Sequence, residues 1–174
     1  MKGIRDNNIY DKIATYNGVI YGGSAGAIIF GETLLSCKLD DINEVGLEDI
    51  NGFNIVKNQS ILCHYTNRDS EHDLRSKEYL LELSNDKQCL AIPEEVTIYV
   101  EDGKYEIYGT KPVYVFLKDY IVKYNIERNI EEYYNKEGIV VIEWANTIKD
   151  ILPSGIGIGS GFVIDSFGNV SSQC

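Results

Sequence analysis

A serine set among small residues, Tyr21-Gly22-Gly23-Ser24-Ala25-Gly26-Ala27, lies between two apolar runs. Its spacing, Gly22-x-Ser24-x-Gly26, is that of a nucleophile elbow, a strand-to-helix turn too sharp to leave room for side chains beside the serine. Val19-Ile20-Tyr21 reads as a short buried strand leading into it, and Ala25 to Phe30 can open a helix after it. Glycine and serine clusters are also ordinary turn chemistry, so the downstream residues decide the reading. Ser60-Ile61-Leu62-Cys63 is an apolar strand running into His64, and Cys89-Leu90-Ala91-Ile92-Pro93 is a second running into Glu94. An open α/β sheet presents its active groups at the carboxyl ends of its strands. Ser24, His64 and Glu94 stand there in chain order, as a nucleophile, a base and a carboxylate would.

Residues 3–112 resemble the C-terminal half of the dipeptidase E family, the S51-type serine peptidases. The resemblance rests on Gly18 to Ala27, the His64-Tyr65 step, the Ala91-Ile92-Pro93-Glu94 step and the strand pair after it. It implies an α/β fold, a flavodoxin-like or glutamine-amidotransferase-like sandwich with a mainly parallel sheet and a β-hairpin. The implied activity is cleavage of short peptides with an N-terminal aspartate. Carried over by position, Ser24 becomes the nucleophile, His64 the base and Glu94 the orienting carboxylate. Gly23 and Ala25 flank the serine at the substrate, with the Ala25 N–H as an oxyanion donor. Asp40 is a second acidic candidate, ranked behind Glu94 because the run Lys38 to Glu44 suits a solvated loop. Arg75, on an expected helix, is the cation for an acidic substrate side chain. Family members carry a further half-sheet before the nucleophile, so the fold is expected to be incomplete at its N-terminus.

The chain has 174 residues, enough for a real core. Its 27 acidic against 16 basic side chains leave a net charge of −11, the wrong sign for a nucleic-acid partner. Cys37, Cys63, Cys89 and Cys174 form no CxxC pair and accompany only two histidines, so free thiols in a reducing compartment are expected rather than a metal site. No leader-like apolar core opens the chain and no run approaches a membrane span, which predicts a cytoplasmic protein without a membrane partner. No cofactor is called for. The oligomeric state is left open.

Elsewhere, Ile9 to Ile13 predicts a short amphipathic helix and His72 to Leu83 a longer one, with Leu74 and Leu81 on it. Val96 to Val100 and Lys104 to Tyr108, joined across Glu101-Asp102-Gly103, predict a β-hairpin with an Asp-Gly turn. A boundary near residue 112 separates this peptidase-like unit, 1–112, from an α/β tail, 113–174. The tail predicts a strand over 113–117, a helix over 120–134, a strand over 139–142 and a helix over 144–152. Residues 133–153 resemble the C-terminal part of the TsaE family of small ATPases, in which the glutamate at Glu143 would help hold Mg²⁺ beside ATP. With no GxxxxGK[ST] in the chain, Glu143 reads as structural. Gly159 to Val170 is similar to the opening hairpin of HtrA-type serine proteases and reads most simply as a glycine-bounded hairpin.

Two function classes remain. One is a serine peptidase working through Ser24, His64 and Glu94. The other is a truncated or mosaic α/β protein that keeps those residues and acts only through binding.

Overall fold

The computed structural model describes residues 1–118 and 120–124, together with the backbone of four strands at 139–142, 156–159, 162–164 and 170–172. Two short helices open the chain, α1 (Lys2–Asp6) and α2 (Tyr10–Ala14), each burying one isoleucine, Ile4 and Ile13. The buried strand β1 (Ile20–Gly22) comes next, then the short helix α3 (Ala25–Ile28) and a 3-10 turn at Leu35–Leu39. Strand β2 (Gln59–Cys63), helix α4 (Ser70–Leu83) and strand β3 (Gln88–Ile92) form the next unit. Then come β4 (Val96–Glu101), β5 (Lys104–Gly109), β6 (Val113–Leu117) and β7 (Tyr120–Tyr124). The last four strands are β8 (Ile139–Ile142), β9 (Ile156–Gly159), β10 (Phe162–Ile164) and β11 (Val170–Ser172).

The architecture is α/β, with the described strands in two sheets of order β11-β10-β9-β1-β8-β4-β5 and β2-β3-β6-β7. Parallel pairing is concentrated where the candidate site residues are. β1 runs parallel to both β8 and β9, and β2 runs parallel to β3, whereas the other pairings among the described strands are antiparallel. Both sheets draw strands from either side of residue 112, where the sequence predicts a boundary: β6 pairs with β3, and β8 lies between β1 and β4.

Strands β2 and β3 explain their own apolar character. Ile61, Cys63, Leu90 and Ile92 face the main core with Ile13, Ile20, Phe30 and Ile98, while Leu62, Cys89 and Ala91 face a second core under α4 with Leu80 and Phe116. With side chains alternating by two and both faces covered, a strand has to be apolar at nearly every position. The β4–β5 hairpin is as predicted, and β5 forms an edge of its sheet. Asp102 and Gly103 both have positive φ, 49° and 74°, as a two-residue turn matching strand twist requires.

Two expectations change. Tyr120–Tyr124 is strand β7, not the start of a helix, and pairs antiparallel with β6 in the register Phe116↔Ile121 and Val115↔Val122. Tyr, Ile and Val fit a pleated, half-buried surface, and Ile121 packs on the second core. Residues 125–134, the helix expected over 144–152, and Glu143 lie outside the described residues. Helix α4 begins at Ser70, two residues before the predicted start, because Asp69 caps it by accepting from the Glu71 and His72 N–H groups at 3.1 and 2.9 Å. Its inner face is Ser76 and Leu80, and Leu74 is 56 % exposed.

Burial of acidic protons gives this fold a pH limit. Desolvation pushes the Cys89 thiol and the Tyr65 and Tyr99 phenols up to about 12, with Tyr114 adding to the effect at Tyr65 and Glu101 at Tyr99. In the unfolded chain these groups ionise near pH 8.5 and 10. Between those values and 12 the unfolded state binds fewer protons than the folded one, so stability falls as pH rises. The urea midpoint should hold to about pH 8 and decline steadily above pH 9; a midpoint unchanged at pH 10.5 would mean that all three ionise freely in the fold.

Candidate active site

The turn at Ser24 is enforced from both sides. β1 ends at Gly22 and α3 begins at Ala25, with Ser24 between them at φ 50°, ψ −118°, a conformation that favours glycine. A Cβ at Gly22 would stand 2.5 Å from the Gly26 carbonyl oxygen and 2.9 Å from the Phe30 ring, so strand and helix press together at the two glycines of the motif. The Gly26 N–H donates to the Gly23 carbonyl at 2.9 Å, and those of Ala27 and Ile28 donate to the Ser24 carbonyl at 2.9 and 3.0 Å. The Cys63 thiol reaches the same Ser24 carbonyl at 3.6 Å. Gly23 is buried; Ala25 is exposed at the head of α3, where a helix leaves its first N–H groups without intrahelical acceptors.

His64 and Glu94 come from adjacent parallel strands. The β2–β3 register runs to Cys63↔Ile92, and the Tyr65 N–H adds a bond to the Ile92 carbonyl at 3.2 Å. The Tyr65 ring packs edge-on against Tyr114 and Phe116, with centroids 5.2 and 5.7 Å away, and anchors the exit of β2. His64 itself, at φ 61°, turns out of the ladder. Its Nε2 lies 3.0 Å from Ser24 Oγ, and its Nδ1 lies 3.2 Å from Glu94 Oε1. The His64 and Glu94 side chains are 26 % and 29 % exposed, sheltered from bulk water yet open to a ligand.

Backbone strain gathers at this point. Among the described non-glycine residues with positive φ are Ser24, His64, Thr66 and Glu95, all within two residues of the three side chains. Such conformations cost on the order of 1–3 kcal/mol each and persist where the surroundings over-determine them.

The other predicted residues fall elsewhere. Asp40 meets His72, whose Nε2 lies 2.6 Å from its Oδ1, and Arg68 at 3.8 Å. The carboxylate on His64 Nδ1 is that of Glu94. Arg75 is exposed on α4, so the partly buried cleft that a strong aspartate clamp needs is not formed around it. A residue that motif spacing does not single out, Asn67, accepts a hydrogen bond from the Glu94 N–H at 2.7 Å. Its signal is no more than a short polar side chain in the turn after His64.

Cys37 and Cys89 are free thiols, and among the described residues no cluster of side chains is arranged to hold a metal ion. Nor, among them, is any helix long and apolar enough to cross a membrane. The model of one protein family, peptidase family S51, matches residues 1–108, and this match gives no support to the TsaE likeness expected over residues 133–153. No curated protein and no solved structure matches the chain.

Proposed function

The chain belongs to peptidase family S51, and on that footing we propose that it is a serine peptidase of short peptides, with Ser24, His64 and Glu94 as its catalytic residues. The observation that carries this reading is the unbroken relay from Ser24 Oγ to His64 Nε2 at 3.0 Å and from His64 Nδ1 to Glu94 Oε1 at 3.2 Å. Both distances are within reach for a nucleophile, a base and an orienting group.

In this mechanism Ser24 Oγ attacks the peptide carbonyl carbon as its proton passes to His64 Nε2, which then hands that proton to the leaving amine. Water, deprotonated by the same nitrogen, releases the acyl group and regenerates the serine. Glu94 accepts from Nδ1–H throughout, which fixes the tautomer and steadies the imidazolium. The Ala25 N–H, at the head of α3, is the donor for the developing oxyanion. The test is a fluorophosphonate probe on the folded protein: adduct mass on the peptide containing Ser24 supports the reading. Folded protein that stays unlabelled, with no dipeptide hydrolysed, would leave the binding-only alternative.

The finer part of the proposal is a preference for an N-terminal aspartate. A molecule of net charge −11 repels acidic ligands at long range, so the preference needs a local cation. Arg75 is the candidate, and its exposure limits it. An exposed ion pair contributes about 0–1 kcal/mol, or at most about fivefold in kcat/KM. Arg75→Met is therefore expected to shift the Asp-Leu over Asn-Leu preference by less than about fivefold; a loss above tenfold would mean that substrate closes over Arg75.

A further inference from the structure

Asn67 joins the two segments that carry His64 and Glu94. Its Oδ1 accepts from the Glu94 N–H at 2.7 Å, and its own N–H donates to the His64 carbonyl at 3.2 Å. One half-buried residue thus holds the exit of β2 to the exit of β3, past the end of their register at Cys63↔Ile92. Here the chain is under strain on both sides, with His64 at φ 61°, Thr66 at φ 62° and Glu95 at φ 64°. Conformations of that kind relax unless specific bonds hold them. A short amide suits this position because its oxygen reaches only a little way from its own backbone, so it fixes a distance as well as supplying a bond.

We propose that Asn67 is a positioning residue that sets the separation of His64 Nδ1 and Glu94 Oε1. Its kinetic consequence rests on the peptidase reading, whereas its effect on the His64–Glu94 pair does not. The charged groups of these segments are Glu94 at the imidazole, Arg68, which meets Asp40, with Asp40 held in turn by His72, Asp69, which caps α4, and Glu95, which accepts from the Thr110 hydroxyl. An amide at 67 adds no charge to this set, so its removal acts on His64 through geometry.

The chain has two histidines, so both can be followed by NMR titration of the whole protein, with His72→Gln assigning the signals. A carboxylate close to an imidazole favours the cation. In Asn67→Ala, Glu94 is released and the His64 midpoint should fall by about half a unit or more, with His72 unchanged. Asn67→Asp still accepts from the Glu94 N–H and adds negative charge, so its midpoint should return to the wild-type value or above. Should Asn67→Ala not fold, Asn67→Gln, which carries the same oxygen one methylene further out, should show the same fall. On a cleaved peptide kcat should drop about 10–100-fold in Asn67→Ala with KM within about threefold, and recover in Asn67→Asp. An unchanged His64 midpoint in the folded variants overturns the proposal. A midpoint that falls as expected in a protein that cleaves nothing overturns the peptidase reading and leaves Asn67 in its role.

Discussion

Ser24→Gly is expected to lower kcat by about 10⁶-fold and, at the same time, to make the protein more stable. The loss comes from removing the nucleophile: knocking out one member of a cooperating serine–histidine pair removes nearly all that the pair contributes. The gain comes from the backbone. Ser24 is held at φ 50°, ψ −118°, where a Cβ is crowded and glycine is at ease. Relief of that strain is worth about 1–3 kcal/mol. Two smaller effects oppose it: glycine's extra freedom in the unfolded chain, about 0.5–1 kcal/mol, and the lost bond to His64 Nε2, which water can replace because the ring is 26 % exposed. Ser24→Ala separates the contributions, since it is equally inactive and keeps the strain. Urea unfolding of the three proteins should rank glycine above wild type, with alanine level or below. Glycine below alanine would show that the elbow is not under strain.

Glu94→Gln is expected to lower kcat by about 10⁴-fold, whereas Asp40→Asn should cost no more than about tenfold. Glutamine is nearly the same shape, but its amide can present N–H₂ to His64 Nδ1 and so favour the wrong tautomer, and it carries no charge to steady the imidazolium. Asp40 bonds to His72 and Arg68, so its neutralisation loosens the loop after His64 without touching the imidazole that faces Ser24. Steady-state kinetics on one dipeptide would decide between them. A larger loss from Asp40→Asn than from Glu94→Gln would transfer the orienting role to Asp40.

The candidate site is legible in the sequence because its chemistry is written in local pattern. Gly22, Ser24 and Gly26 state their own turn, since the Cβ that Gly22 lacks would meet the Gly26 carbonyl. His64 and Glu94 can be found at the ends of apolar runs because β2 and β3 are covered on both faces. The choice between Asp40 and Glu94 is tertiary: the parallel β2–β3 register brings Glu94 beside His64, and no spacing in the chain expresses it. Charge singles out Arg75, but charge does not reveal which side of a helix faces a cleft. Tyr120–Tyr124 reads as helix because its tyrosines and neighbouring glutamates fit either state, and the β6 edge that settles it is a partner, not a property of the segment. Asn67 escapes a reading by pattern for the same reason, its acceptor role depending on a backbone N–H at the exit of another strand.

The neighbours of β1 bear on the order in which the molecule can be made. Ile20 pairs with Ile139 on one side and with Ile156 on the other, both in parallel strands. During synthesis the strand that leads into Ser24 therefore leaves the ribosome well before its sheet partners β8 and β9 and waits for them unpaired. Pairings this distant in sequence are slow to form and leave strand edges exposed meanwhile. β2, α4 and β3 can assemble well before then, so His64 and Glu94 meet while the serine strand is still unframed. A ribosome stalled before residue 139 would present that pair but not the completed sheet behind Ser24, and the nascent chain would gain its nucleophile geometry last.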